Sequence, residues 1–283
     1  MKIIDGNKLA GDIFLKIKQD INKSKDKKKP GLAVILIGED PSSELYVKLK
    51  QKKAYELGVD FHLYRMDSDV PEDIVLETID FLNNDDDIDG ILVQLPLPNN
   101  LNVDRVVSKI DPNKDVDGFT KKNIDKFING DKNVLWPVFP KALLSLAKFS
   151  GEDLNGKTAV IVGNSDIFTK AMVAACAREG LKVFRISCKD FQDRIDTIKN
   201  ADVIFIACGQ VSMLRDEHIK DGAIIIDGGI NKIEDKVVGD VDIDISKSEK
   251  NGYLSPVPGG VGPVTIACLF GNLKELAYNK HKH

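Results

Sequence analysis

Short apolar runs rich in β-branched residues recur along the first third of the chain: LAVILI at Leu32–Ile37, FHLYRM at Phe61–Met66 and GILVQL at Gly90–Leu95. Between them lie Pro41–Leu57 and Pro71–Leu82, each long enough for a helix. This alternation predicts βαβα units, hence a parallel sheet covered by helices on both faces. A second series starts at Thr158, with TAVIVG, LKVFRIS, ADVIFIA and GAIIIDGG as strand candidates separated by helix-sized segments. Their near-continuous apolar character suits strands buried on both faces. The stretch Asp111–Pro140 between the two series is rich in Asn, Asp and Lys, is punctuated by Pro112, Pro137 and Pro140, and reads as a domain junction. Ligands in such folds sit at the carboxyl ends of the strands, so two α/β domains flanking a cleft are expected.

The segment EDPSSELYVKLKQKKAYELG carries its own start and stop signals. Asp40 can cap, Pro41 fits the first helical position, and Gly58 suits the left-handed residue after the end. On the predicted helix Tyr46 and Lys50 are four apart and share a face, with Ser43 about one turn earlier. One reading makes Lys50 a wet-face lysine among Lys48, Lys52 and Lys53; the other turns it inward with Tyr46 and Ser43. Gln94 ends an otherwise apolar strand before Pro96 and Pro98 and is costly to bury without partners. It either holds the loop or points polar atoms into the cleft. Asp115 and Asp117 fall on a turn with Gly118, where an aspartate is commonly a turn residue. The run PVPGGVGPVT supplies a rigid loop containing Pro258, Gly259 and Gly260, feeding a helix expected to begin near Pro263.

The second series opens with TAVIVGNSDIFTKAMVAACAREG, the strand, glycine turn and helix of a dinucleotide site. Gly163 allows the tight turn, Asn164 and Ser165 follow it, and the C-terminal domain is therefore expected to be a Rossmann-type doubly wound parallel sheet. Cys208 and Gly209 end one later strand and Ile230 another; a core thiol and a packed apolar side chain are the plain readings of Cys208 and Ile230.

A length of 283 residues with 42% hydrophobic and 30% charged residues agrees with two globular domains. No stretch approaches the roughly 18 to 20 apolar residues of a membrane helix, and the opening residues lack a signal-peptide core, so a soluble cytoplasmic protein without a membrane partner is expected. The 40 Lys and Arg against 44 Asp and Glu leave a net charge of -4, which gives no support for a nucleic-acid partner. The lysines of Lys23–Lys29 read as a solvated loop, and Asn279–His283 as a polar terminus. Cys176, Cys188, Cys208 and Cys268 show no CxxC pairing and no adjacent His, so they are expected to be buried thiols, with neither a disulfide nor a metal site.

Together, PSSELYVKLK, DGILVQLPLP, DPNKDVDGF, the GNS turn, IDGGIN, GDVD and SPVPGGVGPVTIACL resemble the bifunctional methylenetetrahydrofolate dehydrogenase/cyclohydrolase family, in the family's order from about Asp40 to Leu269. The resemblance implies oxidation of 5,10-methylenetetrahydrofolate to the methenyl form by hydride transfer to NADP, with NAD as the other possible acceptor, then hydrolysis to 10-formyltetrahydrofolate. It places the essential lysine on Lys50, the active-site tyrosine on Tyr46, the glutamine that holds the lysine on Gln94 and the pterin-binding aspartate on Asp117. Ser43, Pro258, Gly259 and Gly260 join the substrate set, and Gly163, Asn164, Ser165 and Ile230 the cofactor set. An aspartate suits the amino-pyrimidine edge, which presents two adjacent N–H donors in one plane.

Residues 1–139 would bind folate, completed by a returning helix over 263–283, with the NAD(P)-binding domain over 140–262 inserted between; a homodimer is implied. Phe168, Thr169 and Ala171 depart from the family's usual Val, Gly and Pro, so that Thr169 adds bulk at the turn. Asn164 stands where many members of the family carry an arginine able to meet a 2'-phosphate, and Arg185 and Lys189, near the end of the next strand, could supply charge instead. Two other readings follow from these departures: a cyclohydrolase with weak or NAD-dependent dehydrogenase activity, and a catalytically silent folate- or nucleotide-binding protein.

Overall fold

A computed structural model describes residues 1–24, 28–234 and 236–279; residues 25–27 of the lysine cluster and the chain end from 280 lie outside the described residues. In chain order the first half contains β1 (Lys2–Ile3), α1 (Gly6–Lys23), β2 (Gly31–Ile37), α2 (Pro41–Leu57), β3 (Asp60–Met66), α3 (Glu72–Asn84), β4 (Gly90–Val93), α4 (Val103–Ser108) and α5 (Lys121–Ile128). The second half contains α6 (Val138–Phe149), β5 (Thr158–Gly163), α7 (Asp166–Arg178), β6 (Lys182–Ile186), α8 (Ile195–Lys199), β7 (Val203–Ala207), β8 (Ala223–Asp227), β9 (Asn231–Ile233), β10 (Lys236–Val238), β11 (Gly252–Ser255) and α9 (Val261–Asn279). The last helix begins two residues before the expected Pro263, which lies within its first turn.

The chain divides into two compact units, one of Ile13–Lys126, Asn133–Trp136 and the segment from Leu269 onward, the other of Met1–Asp12, Phe127–Lys132 and Pro137–Cys268. In the first unit β2 is flanked by β3 and β4 in a three-stranded parallel sheet. Every residue of β2 is buried, as its unbroken apolar run predicts for a central strand. Ala33, Ile35 and Ile37 pack with Val75, Ile79 and Leu82 of α3 and with Ile91 and Val93 of β4. Gly31 opens β2 where a Cβ would lie 1.9 Å from the carbonyl oxygen of Asp87, and its N–H donates to Asp89 Oδ2 at 2.9 Å.

In the second unit six strands pair in parallel in the order β1-β11-β8-β7-β5-β6. After β5 the chain goes to β6 on one side and then crosses to β7 on the other, so the order reverses at β5. This reversal is the switch point at which doubly wound sheets take their ligands. The first twelve residues cluster with this sheet, whereas the expected boundary put them with the folate-binding half; β1 extends the edge by pairing Lys2 with Tyr253 and Ile3 with Leu254. A two-residue strand carries too little pattern to be read from sequence.

One expectation about cysteine is corrected. Cys188 and Cys208 form a disulfide, and only Cys176 and Cys268 are buried free thiols. Cys188 lies two residues past β6 and Cys208 directly follows β7, the two neighbours of β5, so the fold converges positions 20 apart that no spacing motif links.

Replacement of Gly31 by Ala is expected to destabilise the chain by about 3 kcal/mol, because the clash is with backbone rather than with a side chain that can turn away. A fall in the urea midpoint checks it; an unchanged midpoint would show that the Asp87 turn yields freely.

Candidate active site and dinucleotide turn

Helix α2 starts and stops as its sequence predicts. Asp40 accepts a hydrogen bond from the Ser43 N–H at 2.7 Å, Pro41 occupies the first position, and Gly58 closes the helix with φ 76°. The buried face is Ser43, Val47, Lys50, Ala54 and Leu57, so a lysine stands in the middle of the stripe that packs inward. Lys50 is 9% exposed, while Lys48 and Lys52 face solvent. The wet-face reading of Lys50 is thereby excluded.

The Lys50 ammonium donates to Gln94 Oε1 at 2.6 Å. Gln94 follows the last residue of β4, where its own N–H still donates to Ile35 O at 2.9 Å, and its Nε2 donates to Leu95 O at 2.7 Å. Ser43 Oγ donates to the same carbonyl at 3.4 Å. The amide thus does both things that the sequence left open: it holds the loop with its nitrogen and the amine with its oxygen. Burial brings the Lys50 ammonium from its ordinary 10.5 down to about 8, against the opposing pull of the Asp117 charge. Asp117 is pushed up from 3.8 to about 6, first by burial and then by the like charge of Asp115, with Lys50 acting the other way. Tyr46, one turn before Lys50 on α2, is half-buried, and its hydroxyl is raised by that burial.

The two aspartates of the turn have separate roles. Asp115 is fully engaged in structure, accepting from the N–H groups of Phe119 and Thr120 at 3.1 and 2.8 Å and from Asn123 Nδ2 at 2.9 Å. Asp117 is the one coupled to Lys50. Ser43, Tyr46, Lys50, Gln94 and Asp117 all belong to the first unit, whereas Pro258, Gly259 and Gly260 belong to the second. There the N–H of Gly6 donates to Gly259 O at 2.9 Å, and a Cβ on Gly6 would lie 2.0 Å from Gly260 O, which fixes the path of the loop.

At the end of β5 a Cβ on Gly163 would lie 3.0 Å from the Phe168 ring and 3.3 Å from Thr169 Cγ2. Phe168, Thr169 and Ala171 are all buried on α7. The bulk expected at the turn from Thr169 is therefore directed into packing, and Gly163 is small because these side chains occupy the space behind it. Ser165 caps α7 by accepting from the Phe168 N–H at 3.2 Å. Asn164 Oδ1 accepts from the Cys188 N–H at 3.2 Å and from Ser187 Oγ at 3.4 Å, tying the turn to the loop after β6. Arg185 donates to Asp166 Oδ1 at 2.8 Å at the start of the same helix, and Lys189 is exposed nearby in sequence. Ile230 is 56% exposed, which overturns the packed-core reading, and Cys208 is disulfide-bonded rather than a core thiol. A capped helix start, cationic side chains at the end of β6 and an exposed apolar side chain after β8 fit a dinucleotide's phosphate, ribose phosphate and nicotinamide in turn.

Two carboxylates that residue-type reasoning passed over hold this face. Asp240 is wholly buried and accepts from the N–H groups of Cys208, Gly209 and Gln210 at 2.5, 3.1 and 2.8 Å, and from Asn231 Nδ2 at 2.9 Å. Asp227 accepts from the N–H groups of Gly229, Asp240 and Val241, and is itself pushed up to about 6, mainly by burial. Both lie beside glycines that leave no space for a Cβ, Gly229 against Asp240 and Gly239 against Asp227, and these glycine–aspartate strings were the available signal. Asp240→Ala is expected to cost about 3 kcal/mol of stability by leaving several buried donors unpaired. Chemical denaturation checks this, and a cost below about 1 kcal/mol would show that water replaces the carboxylate.

The family model of the tetrahydrofolate dehydrogenase/cyclohydrolase catalytic domain matches residues 4–117, and that of the NAD(P)-binding domain of the same family matches residues 137–281. A bifunctional protein FolD from Wolbachia pipientis is 41% identical over 273 residues, covering 95% of this chain and 93% of the relative. The crystal structure of a bifunctional FolD from Campylobacter jejuni superposes with a TM-score of 0.93 at 38% identity, covering 99% of both chains. A Trypanosoma brucei FolD complexed with NADP and an inhibitor gives 0.91 at 30% identity, covering 99% of this chain and 98% of that one. The chain belongs to the tetrahydrofolate dehydrogenase/cyclohydrolase family.

Proposed function

We propose that this chain oxidises 5,10-methylenetetrahydrofolate to 5,10-methenyltetrahydrofolate with NADP and hydrolyses the product to 10-formyltetrahydrofolate, with Lys50 as the general acid and base of the second step. The observation that carries the assignment is the buried Lys50 amine, held by a neutral amide and brought to about 8. At pH 7 roughly a tenth of such an amine is neutral, whereas an ordinary lysine is almost wholly charged.

Bound NADP supplies the hydride acceptor in the oxidation. The substrate's adjacent nitrogen lone pair stabilises the methenyl cation that remains, so the protein's part in that step is alignment. Asp117 is assigned to the amino-pyrimidine edge and Tyr46 to the face of the flat ring and the polar network around it. Ser43, Pro258, Gly259 and Gly260 are assigned to substrate binding, and Gly163, Asn164, Ser165 and Ile230 to the dinucleotide. In the hydrolysis a water adds to the methenyl carbon, and Lys50 Nζ takes its proton. Nζ then returns a proton to the ring nitrogen as the carbon–nitrogen bond breaks, while the second water proton leaves as the formyl carbonyl forms. Gln94 Oε1 keeps Nζ in place without adding a charge that would hold the proton on it.

A second reading, NAD as the acceptor, is favoured by one feature: Asn164 stands at the turn and Arg185 is engaged with Asp166. Parallel assays of methylenetetrahydrofolate with NADP and NAD separate the two, and a higher kcat/KM with NAD would reverse the assignment. The catalytically silent alternative predicts neither reduced nicotinamide nor consumption of methenyltetrahydrofolate. We also assign the chain to the cytoplasm as a homodimer; light scattering at twice the mass of the chain supports the second point.

Lys50→Ala is expected to lower cyclohydrolase turnover at least about 100-fold while NADP binding is kept. Wild-type kcat/KM should rise with pH, first as Asp117 ionises near 6 and again as Lys50 loses its proton near 8, and level off above that. The upper rise should vanish in Lys50→Ala; its persistence would move the general base elsewhere.

A further inference from the structure

The loops that follow β6 and β7 are joined by the Cys188–Cys208 disulfide, with Cα atoms 5.8 Å apart. Both strands pair directly with β5, one on each side, so they run two strand spacings apart, about 9.6 Å. The bridge therefore draws their exits together just past the end of β5, at the switch point of the sheet. Cys188 is 4% exposed and packs with Val160, Val162, Ile186 and Phe191 on one face of the sheet. Each half of the bridge is also bonded to a group of the dinucleotide face. The Cys188 N–H holds Asn164 Oδ1, and the Cys208 N–H shares Asp240 with Gly209 and Gln210. The covalent bond thus fixes the spacing between the loop tied to the β5 turn and the loop after β7.

We propose that Cys188–Cys208 is a thiol–disulfide exchange site, opened by a dithiol reductant, and that opening it weakens dinucleotide binding. Attack falls on Cys208 Sγ, since Cys208 is partly exposed beside exposed Gly209 and Gln210 while Cys188 is buried. The incoming thiolate bonds to Cys208 Sγ, the sulfur–sulfur bond breaks, and its electron pair leaves on Cys188 Sγ. The reductant's second thiolate then displaces Cys208 Sγ and closes the reductant's own disulfide. Two electrons pass to the protein, and the two protons lost by the dithiol end on Cys188 and Cys208. The remaining cysteines do not compete, because burial pushes the Cys176 thiol up to about 12 and that of Cys268 to about 11. Once reduced, the two loops are no longer held at one spacing, and the dinucleotide must order them on binding. The bridge and its bonded partners Asn164 and Asp240 touch none of the residues assigned to the folate, Lys50, Gln94, Asp117 and Pro258 to Gly260 among them, so the hydrolytic step is expected to be unaffected.

The binding half of this proposal rests on the dinucleotide assignment above; the thiol chemistry does not. Chain alkylated with N-ethylmaleimide in denaturant at lysis should carry label on Cys176 and Cys268 only, and on all four cysteines after dithiothreitol. Fluorescence titration with NADP should give a dissociation constant about fivefold higher for the reduced chain than for the oxidised one. Cys188→Ser and Cys208→Ser should match the reduced chain in either condition, and the second, at a partly exposed position, serves if the first fails to fold. Cyclohydrolase turnover should be equal in both forms. Four labelled cysteines before reduction, or equal dissociation constants, would overturn the proposal. A redox-dependent dissociation constant without hydride transfer would instead overturn the dehydrogenase reading and leave this one standing.

Discussion

An ammonium group removed from water is the constraint around which the first unit is organised. Lys50 lies in the inward stripe of α2, between Val47 and Ala54, where helical periodicity calls for an apolar side chain. Isolated burial of a charge is prohibitive, and a group so placed either finds partners or gives up its proton. Here it is poised between the two. Gln94 offers one neutral acceptor, which satisfies the amine in either protonation state, and Asp117 offers a charge that limits how far the pKa falls. A carboxylate at position 94 would bond the amine equally well, but its charge would hold the proton on nitrogen. The amide at the end of an apolar strand is accordingly a choice of charge as much as of geometry.

The same economy appears in the loops that follow strands or lead into helices. Backbone N–H groups there have no ladder partner and need acceptors once they are buried. Asp115 collects the N–H groups of Phe119 and Thr120, just before α5, with the Asn123 side-chain amide in one unit, and Asp240 collects those of Cys208, Gly209 and Gln210, after β7, with the Asn231 side-chain amide in the other. Each has a second aspartate close in sequence or space, Asp117 and Asp227, whose proton affinity is raised by burial beside it. In the first unit the raised member is the one whose charge acts on Lys50. In the second, Asp227 itself accepts three backbone N–H bonds, so its role is to order the loops after β8 and β10.

Much of this was legible in the sequence because it rests on local signals. Asp40, Pro41 and Gly58 delimit α2 through backbone chemistry confined to each end, and β2, β5, β7 and β8 show as unbroken apolar runs because both their faces are covered. The shared face of Ser43 and Lys50 follows from helical spacing alone, although which side of the helix turns inward does not: four lysines in six residues give no clue until packing chooses one. What escaped depends on the sheet's order in space. β1 is too short to carry a pattern, the disulfide joins residues that become neighbours only because β6 and β7 flank β5, and Asp240 looks like a surface aspartate until Gly229 and the loop after β7 close around it. Ile230 was singled out by the resemblance alone, since residue type points to a packed side chain after a buried strand and this one is exposed.

The departures at the β5 turn show how a site tolerates changed residues. A glycine in such a turn serves either the approach of a ligand to backbone or the packing of helix on strand. Thr169 and Phe168 face Gly163 from behind, so their size is met on the packing side, where shape can be compensated by neighbours such as Phe139, whose ring centroid lies 5.1 Å from that of Phe168. The ligand side is governed by what the turn itself exposes, namely the capped start of α7 and the side chain of Asn164. With an amide there instead of a cation, charge for a ribose phosphate has to come from the end of β6, where Arg185 already answers Asp166. On the proposed dinucleotide assignment, selectivity would turn on whether a phosphate can draw Arg185 off the solvent-exposed Asp166 carboxylate. Such exposed pairs are weak, so a dianionic phosphate would be the stronger partner for that guanidinium.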